Sequence, residues 1–150
     1  MPEANPPRNE ACVTLDEDTS LYRRIEAEIL AALERAEFPK EAIFAVRLAL
    51  EEAVTNALRH GAAGLPNPRV TLSWRVEPTR VTIVVEDPGP GFNPDAVPDP
   101  TAPDRIHLPS GRGIMLMRAF MTRVEFTPPG NRVIMTLDRP SASQPHQRTM

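Results

Sequence analysis

The stretch KEAIFAVRLALEEAVTNALRHG (Lys40–Gly61), followed after a short connection by RVTLSWRVEPTRVTIVVED (Arg69–Asp87), changes its hydrophobic period from about 3.6 residues to two. No Gly or Pro interrupts Lys40 to His60, Pro39 suits a first helical turn and Gly61 supplies a stop, so the first part predicts a long helix. The second part is rich in β-branched residues on both sides of Glu77-Pro78-Thr79 and predicts a hairpin. Upstream, Ser20 is a plausible N-cap for LYRRIEAEILAALERA, a helix over about 20–36, and Cys12 to Leu15 suit a short edge strand. Downstream, seven of the 18 prolines fall between Pro88 and Pro109, which excludes regular structure and marks a functional loop or disorder. Gly113 to Met121 is apolar at helical spacing, and Arg123–Phe126 with Arg132–Asp138 flank Pro128-Pro129-Gly130-Asn131 as a second hairpin. Hairpins with helices inserted between them predict an α+β two-layer sandwich, in which helices cover one face of a mixed, mostly antiparallel sheet.

The chain has 150 residues, 41% hydrophobic and 25% charged, enough for one domain and its core. Residues 1–9 and 139–150 are polar, proline-containing and aperiodic, so both are expected as disordered tails around a domain over 10–138. A formal charge of -3 argues against binding nucleic acid by bulk electrostatics. Neither a targeting segment nor a membrane span is signalled, and the lone Cys12 cannot form an internal disulfide, so a reduced cytoplasmic protein is expected.

Three groups of residues carry chemistry. On a helical wheel Ile43, Val46, Leu50, Ala53, Val54 and Ala57 share one side, while Glu52, Asn56 and Arg59 lie opposite together with Ala45, Leu48 and Ala49. A helix apolar on much of both sides is covered on both, which puts Glu52 and Asn56 on an enclosed wall; the bland alternative is a solvated helix face. Glu86-Asp87-Pro88-Gly89-Pro90-Gly91 ends a strand with a carboxylate and spaced glycines, which suits either a tight turn or a flat ligand whose exocyclic amine donates to Asp87. Ser110-Gly111-Arg112-Gly113 opens a helix, where unpaired N–H groups form an anion site or where glycine simply caps. Neither the dinucleotide-binding fingerprint nor a GxxxxGK[ST] loop is present.

In this order, EEAVTNALRHG, EDPGPG and SGRGIMLM resemble the N, G1 and G2 boxes of the GHKL (Bergerat-fold) ATP-binding superfamily. The compact size and the GRGIMLMRAFMTRVEF form of the last box look most like bacterial anti-sigma-factor serine/threonine protein kinases, over residues 10–138. The resemblance implies an ATP- and Mg²⁺-dependent kinase that sequesters a sigma factor and phosphorylates a small anti-sigma-factor antagonist. Under it Glu52 matches the general base and Asn56 the Mg²⁺ ligand, one helical turn apart. Asp87 matches the adenine-reading carboxylate, with Gly89 and Gly91 giving the base room. Ser110, Gly111, Arg112 and Gly113 match the phosphate-binding box, Arg59 a basic residue that reaches phosphate in related histidine kinases, and residues 93–109 a mobile lid. Related kinases are often homodimers.

Three departures stand out. Pro109 replaces a basic residue found in some family members, which leaves γ-phosphate stabilisation to Arg112 or Arg105; Asn131 stands where a Thr often follows the glycine of the last hairpin; and the lid is unusually proline-rich. Pro109 favours an alternative, an ATP-binding regulatory module with little or no kinase activity. Elsewhere, His60 is expected to pack or hydrogen-bond near the helix end, Met115, Met117 and Met121 to fill core, and Cys12 to serve as a small buried or edge hydrophobe.

Overall fold

A computed structural model describes residues 8–16, 18–61, 69–89, 111–128 and 130–140. The elements are β1 (Glu10–Leu15), α1 (Thr19–Arg35), α2 (Lys40–Asn56), β2 (Val70–Glu77), β3 (Arg80–Glu86), α3 (Gly111–Phe120), β4 (Arg123–Thr127) and β5 (Arg132–Asp138), with a single π-helical turn, Ala57–Gly61, continuing α2. The five strands form one sheet in the order β1-β2-β3-β5-β4, and every pair is antiparallel. β1 is thus an edge strand, as its short length suggests. Among the described residues no helix is long and apolar enough to cross a membrane.

The period of two sorts each strand into two faces. On one face the register lines up Val13, Leu72, Val85, Val133 and Phe126 as one row and Ala11, Trp74, Ile83, Met135 and Val124 as the next. These rows meet Ile25, Ile29 and Leu33 of α1, Val46, Leu50 and Val54 of α2, and Ile114 and Met117 of α3 in one core. Trp74 belongs to it and is only 3% exposed, as its place between Leu72 and Val76 requires. The other face carries Cys12, Ser73, Val84 and Ile134, and there the Ser73 hydroxyl donates to Cys12 Sγ at 3.3 Å. Cys12 is exposed on the edge strand β1.

Helix ends show where local chemistry differs from expectation. Asp18, not Ser20, caps α1: its carboxylate accepts the Ser20 N–H at 2.9 Å and the Ser20 hydroxyl at 2.8 Å. These bonds favour the ionised form and hold the Asp18 carboxyl below the usual range. Met117 and Met121 are buried as expected, but Met115 is 65% exposed, because two residues turn a helix through roughly 200° and Met115 and Met117 cannot both face the core.

α1 ends in a Schellman motif. The Phe38 N–H donates to Leu33 O and the Glu37 N–H to Glu34 O, each at 3.0 Å, and buried Phe38 belongs with Leu33 to the core. The motif forces Glu37 into the left-handed region at φ 63, where a Cβ is crowded. Glu37→Gly should therefore stabilise the fold by about 0.5–1 kcal/mol. Urea titration checks this: the midpoint should rise with an unchanged slope, and a fall would mean that the Glu37 side chain makes a compensating contact.

Candidate nucleotide site

α2 lies over β3 and β5, and α1 and α3 pack on its flanks. Its buried residues include Ala42, Ala45, Ala49 and Ala53 beside Val46, Leu50 and Val54, so the helix is covered on more than one side and small side chains permit the close approach. Phe44 and Phe120 join α2 to the end of α3 edge to face, with ring centroids 6.1 Å apart and planes at 78°.

At the head of α3 the contact tightens. A Cβ on Gly113 would stand 2.8 Å from Glu52 Oε2, 3.2 Å from Asn56 Nδ2 and 3.7 Å from Asn56 Oδ1. Glu52 and Asn56 are therefore brought together with the start of α3, the first as a half-buried carboxylate and the second as a half-buried amide. α3 begins at Gly111, and the positive end of a helix dipole favours an anion. Among the described residues no group of three or more His, Cys, Asp or Glu side chains could hold a metal ion by itself, and a cation beside Asn56 Oδ1 would need further oxygens from a ligand and water. That donor set suits Mg²⁺ held on phosphates.

The π-turn begins one residue beyond Asn56. Its i→i+5 closure makes the angular step smaller than that of the wheel which groups Arg59 with Glu52 and Asn56. Arg59 is exposed there. The side chains of His60 and Arg112 lie outside the described residues, as do Gly91, the expected lid over 93–109, and Ser110; Gly111 is described as the first residue of α3.

Asp87 follows the last residue of β3 and is partly buried. Its Oδ1 accepts the Gly89 N–H at 2.7 Å, an Asx-turn that fixes the carboxylate and brings Gly89 beside it. Burial pushes the Asp87 carboxyl above the ordinary aspartate value, the Gly89 bond pulls it back in part, and the neighbouring Glu86 charge pushes it up again. A second ionisable cluster ties α1 to α2: the Tyr22 hydroxyl donates to Glu26 Oε2 at 2.6 Å, beside the Arg47–Glu51 pair. Burial raises both the Tyr22 phenol and the Glu26 carboxyl. The groove on the helix-free side of the sheet, around Cys12, Ser73, Arg75 and Thr82, is on the opposite face from these groups.

Residues 15–137 match the Histidine kinase-like ATPase domain. An Anti-sigma F factor of Bacillus cytotoxicus is 33% identical over 113 residues, 74% of this chain and 75% of the relative. Those of Bacillus thuringiensis and Bacillus mycoides are 32% identical over the same shares.

Gly113→Ala tests the contact. The atom its methyl meets first is the free end of the Glu52 side chain, and Ala is the better helix former by about 1 kcal/mol, so thermal unfolding should move little. The displaced Glu52 and Asn56 should weaken Mg-ATP binding by tenfold or more. Calorimetry beside a melting curve decides it; intact binding would mean that the close approach serves packing alone.

Proposed function

The chain belongs to the histidine kinase-like ATPase domain family, and on that premise we propose that it is an ATP-dependent serine/threonine protein kinase that also acts as an anti-sigma factor. The observation that carries this reading is the meeting of Glu52 and Asn56 with Gly113 at the N-terminus of α3. A base, a metal-holding amide and an anion-receiving helix end in one place are what phosphoryl transfer needs.

In this reading the exocyclic amine of adenine donates to the Asp87 carboxylate, and Gly89 and Gly91 leave room for the ring. The backbone at Gly111 to Gly113 receives the phosphates, with Ser110, Arg112 and Arg59 as further phosphate contacts. Asn56 Oδ1 would hold Mg²⁺, and the ion would supply positive charge against that of the phosphates. Glu52 takes the proton from a Ser or Thr hydroxyl of the antagonist, that oxygen bonds to the γ-phosphorus, and the bond from γ-phosphorus to the bridging oxygen breaks to leave ADP. The names of the relatives support a sigma factor as the sequestered partner, and a cytoplasmic location is proposed with it. A homodimer is part of the proposal only through the resemblance to kinases that often form one. Pro109, in place of a basic residue, favours the second reading, an ATP-binding module with little or no phosphotransfer.

Substitutions separate the two. Glu52→Gln keeps the shape and loses the base, so phosphotransfer to an antagonist should fall by about 10²–10⁴-fold while ATP affinity holds. Asn56→Ala should instead lower Mg-dependent affinity itself. Mass spectrometry for phosphoserine or phosphothreonine, after incubation with Mg-ATP and antagonists encoded beside the protein, reads the first, and calorimetry the second. Wild type that binds ATP but phosphorylates nothing would leave the sensing module.

The Asp87 carboxyl gives a pH test. Its ionised form is the stronger acceptor for the amine, so ADP affinity should be flat near neutrality and fall on acidification through a midpoint above the ordinary 3.8. For the protein without nucleotide the sign is opposite: the folded state holds this proton more tightly than the unfolded one, so raising pH through the same window removes stability. Nucleotide titrations from pH 4 to 7 would reject the role of Asp87 if the midpoint vanished in neither Asp87→Ala nor Asp87→Asn.

A further inference from the structure

β3 and β5 pair in register as far as Glu86↔Arg132, and the next pair outward is Asp87 with Asn131. There the contact changes character. The Asp87 N–H donates to Asn131 O at 2.9 Å, and the side-chain amide Asn131 Nδ2 donates to Asp87 O at 2.8 Å. One residue thus holds both polar backbone groups of Asp87. The turn before it sets this reach: Gly130 sits at φ 103, a conformation L side chains rarely adopt, and its N–H donates to Thr127 O at 2.6 Å.

The clamp has a consequence for the carboxylate. With the Asp87 backbone fixed by Asn131 and Oδ1 occupied by the Gly89 N–H, the direction of Oδ2 is set before any ligand arrives. Among the described residues Oδ1, and not Oδ2, is the oxygen that accepts a hydrogen bond. An acceptor held this way meets an amine without a loss of side-chain freedom. A serine or threonine hydroxyl, one bond shorter than the asparagine amide, does not span the same gap without moving the backbone.

We infer that Asn131 is a positioning residue for base recognition: through the backbone of Asp87 it fixes the carboxylate that reads the exocyclic amine of a purine, and so governs the preference for a 6-aminopurine without touching the base. The inference rests on Asp87 as the base-reading group.

The test pairs ATP with purine riboside 5′-triphosphate, which has the same ribose and phosphates and lacks the amine. Both are titrated with Mg²⁺ into the wild type, Asn131→Ala, Asp87→Ala and the double variant, with melting curves alongside. Asn131→Ala should weaken ATP by about five- to tenfold, one hydrogen bond's worth, and leave the analogue within about twofold. In the Asp87→Ala background the same change should have no further effect, because Asn131 acts through that carboxylate. Asn131→Ser keeps a polar turn residue with a shorter donor and should reproduce the loss. Equal weakening of both nucleotides would reduce Asn131 to a structural role and overturn the inference, as would unchanged ATP affinity in Asn131→Ala while Asp87→Ala binds poorly. An Asp87→Ala protein that binds ATP as well as wild type would remove the base-reading assignment and the inference together.

Discussion

Glu52 and Asn56 share one wall with the start of α3 because Gly113 projects nothing between them. Much of the helical layer follows from that approach. α3 is drawn against a helix that already rests on β3 and β5, so α2 must be apolar on more than one side and small where another helix comes near. The alanines at 42, 45, 49 and 53 meet that demand, and larger side chains at those positions would force the layer apart. The polar pair is thereby held by two packed helices rather than by loops.

Much of this was legible from the residues. Strand positions and the faces of the sheet follow from alternation in RVTLSWRV and RVTIVVED, where β-branched residues leave little choice of period. The double covering of α2 could be read from Ala45, Leu48 and Ala49 on the side of Glu52, and the i,i+4 spacing put Asn56 beside it. Trp74 could have been placed in the core by the same alternation.

What escaped the sequence reading depended on geometry beyond the local period. Asp18 and Ser20 both have capping side chains, and only the backbone direction at the entry to α1 chooses between them. The π-turn after Asn56 leaves no simple mark in ALRHG. Asn131 stood out as a departure after Pro-Pro-Gly, but its partner lies 44 residues away and is selected by the β3–β5 register, which no local motif encodes.

Trp74 is the sole tryptophan, and its indole is sealed in the core with Nε1 unpaired among the described residues. An indole with neither water nor a donor-acceptor partner around it emits toward the blue, and it shifts to the red once the core opens. Ile83 is its neighbour on β3, four positions before Asp87, or about 13 Å along the strand. The molecule thus carries its own optical reporter, one that follows the integrity of the sheet and helices and is set apart from the groups that would meet a nucleotide. A change in its colour on adding nucleotide would signal movement transmitted into the core, and a constant colour would mean that the site works on a rigid frame.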